Sequence, residues 1–446
     1  MSLMSLTKSN SFAASSSKSS SNSSNSNSNN NSKSLRKAAM KLLLPHRRRQ
    51  NKTVQKTAVI VDDYTNLLRR ISISEDADGT VATASSHMPS SEDGSYTATS
   101  TPCFEAIAAL NRSEVHLGCL LGKGAFSKVC AVDGITLAGG KEDPARAHMA
   151  NSAQSGRYVM KRLQQRLTRS PKAFTSAAAN LMMEAHFLGQ LDHPHILKLR
   201  ATAAGGSSSF QHGHHDGYFL ILDRLSETLE QRIHSTWRTR RDPHALRVQP
   251  LNETALLQIK LQYALELASA LQYLHERRIV FRDVKPSNLG FDTHGTLKLF
   301  DFGLARQLPE AMGLPNELFH MTRHAGTRPY TAVEVATTGL YNEKADTYAW
   351  AMVVYEMVTE QVPFQEYAAV KDKSNNSSKK QQKPFANDNF VQAVYVDKEM
   401  PSFDRTRSPL KVSHALQTLL KKCWSFDLFV RPNMEQACME LQALMG

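Results

Sequence analysis

Three polar side chains that suit one kind of chemistry, Asp283, Lys285 and Asn288, fall within six positions of one another in IVFRDVKPSNLGF, and Asp301 follows in KLFDFGLAR. Two carboxylates and an amide at these spacings suit a site for a metal ion and a nucleotide. One acid would orient a hydroxyl, while the other acid and the amide hold Mg²⁺ on phosphate oxygens. Upstream, Tyr158-Val159-Met160-Lys161 sets one Lys at the end of an apolar run, where its ammonium can pair with phosphate. Glu184, inside ANLMMEAHFLGQL, is placed to hold that Lys by an ion pair. Earlier still comes Leu121, Gly122, Lys123, Gly124, Ala125, Phe126, Ser127, Lys128 and Val129. Gly122 and Gly124 between apolar flanks suit a strand-turn-strand whose backbone approaches phosphates, because glycine has no side chain to block them. Taken alone, that segment reads equally well as a plain glycine hairpin.

These groups need a scaffold. After Val115 the pattern runs from short apolar stretches to longer helical ones, which predicts a strand-rich small lobe followed by a helical large lobe. Ser-, Gly-, His- and Lys-rich interruptions at about 137–156, 203–216, 238–250 and 371–386 read as surface insertions. His212, His214 and His215 lie in one of them without a partner Cys or acid cluster, so a loop is the better reading than a metal site. The longest apolar stretch, Ala349 to Val358, is about half of what a membrane span needs and predicts a buried helix.

Charge is distributed unevenly along the 446 residues. Residues 1–61 hold no Asp or Glu and eleven Lys or Arg, so the net charge of +13 falls to +2 for the remainder. The basic balance therefore belongs to the tail, and gives no ground for nucleic-acid binding by the folded part. The tail also has too few aromatics for a base-stacking platform. Its Ser- and Asn-rich start predicts disorder. The basic run LRKAAMKLLLPHRRRQNK reads as a solvated patch, a nuclear import signal, a weak membrane anchor or part of a transit peptide. A regulatory linker follows from Asp62 to Asn111, with Ser72 after Arg69-Arg70-Ile71 as a phosphoacceptor candidate. Five scattered cysteines without a C-x-x-C pair fit a reducing compartment, and no secretory h-region follows the first Met. The expected location is the cytoplasm, with the nucleus as the alternative.

In one order along about three quarters of the chain, the glycine loop, strand Lys, helix Glu, Arg282-Asp283-x-Lys285-x-x-Asn288 and Asp301-Phe302-Gly303 resemble the eukaryotic protein kinase family. Lys285 matches serine/threonine-type members, and Leu256 to His275 with the YNEKAD segment looks most like the tyrosine-kinase-like group. The resemblance implies an α+β bilobal fold: a disordered tail and linker over 1–112, then a kinase domain over 113–446, with its N-lobe to about 223 and its C-lobe from 224. It implies ATP and Mg²⁺ as cofactors and protein Ser/Thr hydroxyls as acceptors. By position, Lys161 meets the α/β-phosphates with Glu184 as its partner, Asp283 is the base, Lys285 contacts the γ-phosphate, and Asn288 and Asp301 hold metal. Leu121 to Val129 cover the nucleotide. Leu222 takes the gatekeeper position, with Asp223 at the hinge. Glu334 should pair with Arg431, and Asp346 matches a buried acid of the central helix. Arg282 beside the base implies a switch by phosphate, on Thr322 through an upstream kinase, while Thr327 faces the substrate hydroxyl.

Several positions depart from the family pattern. Ser127 stands for a third glycine, Phe281 for His, Val333 for Pro and Ala351 for Gly, none of which removes a reacting group. Phe281 keeps the stacking on Phe302. In the base pocket Val159 replaces Ala above and Gly290 replaces a large aliphatic below, so the two changes either compensate or are bypassed by Leu289 or Phe291 turning inward. A pseudokinase, a fold kept as an interaction module, is the rival reading; the presence of Lys161, Asp283 and Asp301 argues against it.

Overall fold

The computed structural model describes residues 107–445, except 139–142, 154–155, 211–214, 238–251, 311–316, 369–384, 386–387 and 404–409. The expected disordered tail, its basic run, Ser72, His212 and His214 lie outside the described residues.

A six-stranded sheet forms the first lobe. Its strands are β1 (Ala108–Leu110), β2 (Val115–Lys123), β3 (Ser127–Ile135), β4 (Tyr158–Leu163), β5 (Leu199–Ala203) and β6 (Phe219–Asp223). They lie in the order β1-β5-β6-β4-β3-β2, antiparallel except for the β1–β5 pair. The sheet takes in β1, upstream of the boundary at 113 that sequence suggested. Ala108 and Leu110 are buried, and the acid that follows, Glu114, is buried too. Glu114 accepts from Arg146 at 2.5 Å and from the backbone of Asn111 and Ala138, so its charge is compensated from three directions.

Arg146 belongs to α1 (Pro144–Ala153), a helix in what sequence marked as a surface insertion. Met149 and Ala153 seal it onto the sheet. A second interruption also turns inward, because Phe210 packs edge-on against Phe174 at 5.6 Å and beside Tyr218 at 5.3 Å. A third, at 371–386, also reaches the core, where the buried Phe385 packs edge-on against Phe390 at 5.6 Å, so three of the four interruptions contribute to the core among the described residues. Phe174 sits on α2 (Pro171–Leu188), which starts sharply: Ser170 accepts from the backbone of Ala173, and proline fills the first turn.

The second lobe is helical. Its central helices are α3 (Glu253–Glu276), capped by Asn252, and α4 (Lys344–Thr359). Every residue of α4 is buried, so the apolar run expected to be a buried helix is one. Among the described residues no helix is long and apolar enough to cross a membrane. α5 (His414–Cys423) and α6 (Met434–Met445) close the lobe, α6 packing on α3 and α5 on α4. Short strands line the edge that faces the sheet: β7 (Glu227–Thr228) and β10 (Leu297–Leu299) flank β9 (Leu289–Phe291), while β8 (Ile279–Val280) pairs with β11 (Arg306–Gln307). The result is the bilobal α+β arrangement expected from sequence.

Candidate active site

The loop from Phe281 to Asn288 leaves β8 through an unusual turn. Arg282 has a φ of 70°, which a residue other than glycine adopts only when its surroundings enforce it. Asp346 of α4 enforces it here. Its buried carboxylate accepts from the backbone N–H of Phe281 at 2.7 Å and of Arg282 at 2.8 Å. Gly326 approaches from the other side. With a φ of +95°, a Cβ there would lie 2.6 Å from the Arg282 carbonyl oxygen.

Asp283 is then held at both oxygens. Oδ2 accepts from Lys285 Nζ at 2.7 Å and Asn288 Nδ2 at 3.0 Å; Oδ1 accepts from the Thr327 hydroxyl at 2.9 Å. Lys285 also donates to Thr327 at 2.9 Å. Burial raises the Asp283 pKa above the ordinary carboxylate value, and Lys285 only partly opposes it. A carboxylate so placed is a better proton acceptor than one in water.

Across the cleft, Lys161 on β4 donates to Glu184 of α2 at 2.5 Å and to Asp301 at 2.9 Å. Burial works against the ammonium, but the Asp301 and Glu184 carboxylates outweigh it and hold its pKa above that of an ordinary lysine. Glu184 has one buried oxygen without a partner, and burial pushes its pKa up to about 7. Asp301 moves the other way, kept low chiefly by Lys161. It has left-handed backbone, φ 70° and ψ 62°. The next residue, Phe302, is fully buried and meets Phe281 edge-on at 4.9 Å, as the sequence led us to expect for an aromatic at 281.

The metal-binding expectation fits these residues. Asp301 bonds through Oδ1 and its side chain is 46% exposed, while Asn288 donates through Nδ2 and so keeps its amide oxygen for a cation. A carboxylate and an amide oxygen are hard donors of the kind Mg²⁺ takes. Among the described residues no group of three or more His, Cys, Asp or Glu could hold a metal unaided, so phosphate oxygens would have to complete the shell.

The glycine hairpin lies over this cleft through its pairing with β4, Val129 opposite Lys161. Leu121 and Phe126 are exposed. Sequence reasoning missed what supports the tip. Gln164, buried just past β4, donates to the carbonyl oxygens of Gly124 and Ser127, and Arg166 donates to that of Ala125 at 2.5 Å. Nothing in the spacing of Gln164 or Arg166 signals this. At the hinge, the Asp223 carboxylate is taken by Arg200 at 2.9 Å through each oxygen, so only its backbone remains for a base.

The base pocket corrects one expectation. The place that Gly290 was expected to leave open below the base is filled. A Cβ on Gly290 would lie 2.7 Å from Leu225 Cδ1 and 3.2 Å from Phe300 Cε1, so those two side chains already fill the place. Leu225 comes from the hinge and Phe300 from the residue before Asp301, and neither carries a sequence signal for this role. Further down, Glu334 and Arg431 form the expected buried pair, at 2.6 and 2.9 Å.

Groups so arranged between two lobes suit nucleotide-dependent phosphoryl transfer. Comparison with known proteins narrows that class: the family model described as "Protein kinase domain" matches residues 145–441, well over half of the chain, and the chain belongs to that family. The chain is 28% identical over 266 residues to the "Protein kinase and PP2C-like domain-containing protein" of Arabidopsis thaliana, covering 57% of this chain and 36% of that protein. "Serine/threonine-protein kinase 12" of the same plant is 29% identical over 188 residues, 41% of this chain and 35% of that one. "cAMP-dependent protein kinase type 3" of Saccharomyces cerevisiae is 36% identical over 102 residues, 23% of each. The chain thus spans well under two thirds of these relatives' lengths.

Proposed function

We propose that this chain is a serine/threonine protein kinase that transfers the γ-phosphoryl of ATP to hydroxyls of protein substrates. The observation that carries the reading is the three-way hold on Asp283 by Lys285, Asn288 and Thr327, facing Lys161 held by Glu184 and Asp301. Mg²⁺, held by Asp301 and Asn288, would neutralise phosphate charge. Asp283 takes the proton of the acceptor hydroxyl, and the Thr327 hydroxyl marks where a Ser or Thr oxygen would be presented. Lys285 stands within reach of the same oxygen and balances the charge that develops there.

Lys285 two residues past the base, and the relatives named serine/threonine kinases, support the Ser/Thr assignment. Membership of the tyrosine-kinase-like group, and a signalling role in the cytoplasm or nucleus, extend the same reading. From sequence alone an upstream kinase acting on Thr322 would be the regulatory partner, but the hydrogen bonds around that residue support a different reading.

The test is phosphorylation of a degenerate peptide library by the purified protein with Mg²⁺ and ATP. Incorporation into Ser- and Thr-centred peptides but not Tyr-centred ones is expected. Incorporation into none of them would favour a fold kept as an interaction scaffold.

A further inference from the structure

Between Arg306 and Gly326 the sequence holds a single hydroxyl side chain, Thr322. It is exposed. The backbone around it is tied down by hydrogen bonds that need no phosphate. Strand β12 (Phe319–His320) pairs with β13 (Leu340–Tyr341). Beyond the strand, Met321 N–H donates to Gly339 at 2.9 Å, His324 N–H to Val335 at 3.0 Å, and Arg323 Nε to Thr338 at 3.0 Å. Asn342 donates to the Glu317 carbonyl at 3.2 Å. The ribbon requires Gly339, where φ is +74° and a Cβ would sit 2.8 Å from Arg323 Cγ.

Tyr341 connects this ribbon to the catalytic loop. It is fully buried; its hydroxyl donates to the Thr322 carbonyl at 3.1 Å and accepts from Arg282 Nη1 at 3.1 Å. Arg282 Nε donates to the Leu304 carbonyl at 2.7 Å. The guanidinium that a phosphate was expected to neutralise is thus buried and already meets two oxygens. A phosphate on the exposed Thr322 side chain would have to enter a place filled by a phenol.

We propose that the segment around Thr322 is held in its working form by the Phe319–Tyr341 ribbon, with Tyr341 as a neutral bridge to Arg282, so that activity does not depend on phosphate at Thr322. Tyr341 is then a positioning residue, acting through Arg282 and the Thr322 backbone. This rests on the kinase reading above and replaces the switch that the sequence suggested.

The test has two arms on the full chain. In the first, hydrogen exchange is followed at the amides of Met321 and His324 in phosphatase-treated protein whose intact mass shows no phosphate. Protection is expected there and in Thr322→Ala, with roughly tenfold faster exchange in Tyr341→Phe, the size of one lost hydrogen bond. This arm needs no catalysis, so it reads the ribbon even if the kinase assignment fails. In the second, phosphatase-treated protein and Thr322→Ala should phosphorylate peptide at wild-type rate. Tyr341→Phe should raise the KM for peptide about tenfold while the KM for ATP stays unchanged. Protection or activity that appears only after Thr322 is phosphorylated would overturn the proposal, as would wild-type behaviour of Tyr341→Phe in both arms.

Discussion

The glycines of the hairpin and those beside the catalytic loop answer to different demands. At Gly122 a Cβ would find its nearest neighbour at 3.8 Å and at Gly124 at 3.7 Å, ordinary contact distances, and neither residue has a positive φ. At Gly326 the added carbon would meet backbone at 2.6 Å, and at Gly290 a packed leucine at 2.7 Å. The second pair is dictated by the fold itself. The first pair is not demanded by packing within the folded chain, and it leaves open space for a group that approaches from outside, as phosphates would. The same contrast runs through the two regions: β2 pairs with β3 through three register shifts, with Leu120, Leu121 and Phe126 exposed, whereas Asp283, Asn288 and Phe302 are buried and fixed.

The largest effect is expected on the fixed side. Arg431→Met strands the buried Glu334 carboxylate and should cost about 3–5 kcal/mol in denaturant unfolding, while Glu334→Leu with Arg431→Met should recover much of that loss. A small effect of the single change would show that this lobe tolerates more than its packing suggests. Next comes Gly290→Leu, which must displace Leu225 and Phe300 and should cost roughly 1–3 kcal/mol by overpacking. Val159→Ala, on the opposite side of the base pocket, should not rescue it; rescue would restore the compensation first expected from sequence.

The hairpin should behave in reverse. Gly122→Ala with Gly124→Ala should leave thermal stability unchanged or slightly raised, because alanine loses less backbone freedom on folding than glycine and meets its neighbours only at ordinary contact distance. ATP affinity should fall about tenfold, the scale of a phosphate hydrogen bond lost to crowding. Equal losses of stability and affinity would erase the contrast. The pH profile of kcat/KM for ATP refines it further, since that ratio reports the free enzyme. Glu184 is ionised above its pKa of about 7, so lowering the pH through that value neutralises it and frees one anchor of Lys161. The acid limb should bend near pH 7 and lose that bend in Glu184→Gln; an inflection in the ordinary carboxylate range, about pH 4 to 5, would mean that burial leaves Glu184 unshifted.

The reacting groups were legible in the sequence because each sits at a fixed offset inside a short segment: Asp283, Lys285 and Asn288 share one loop, and Asp301 follows the next strand. Long-range partners were legible only through the family resemblance, as with Glu334 and Arg431. Leu225, Gln164 and Tyr341 act through contacts between segments far apart in sequence, and Phe300 through one across the β9–β10 hairpin; a lone apolar or polar residue carries no period to announce that. β1 and α1 escaped for a related reason. β1 is three residues long, and α1 buries two residues, Met149 and Ala153, too few to make an apolar stripe.

The measurement that bears most directly on the site is a paired one, with ATP binding by calorimetry and single-turnover transfer from labelled ATP to a Ser/Thr peptide, on wild type and Asp283→Asn. Asp283 touches the acceptor side of the site, so the variant should bind Mg²⁺-ATP as wild type does and transfer at least about 100-fold more slowly. Transfer by Asp283→Asn at the wild-type rate, or wild-type protein that binds Mg²⁺-ATP and transfers nothing, would contradict a phosphotransferase built on Asp283.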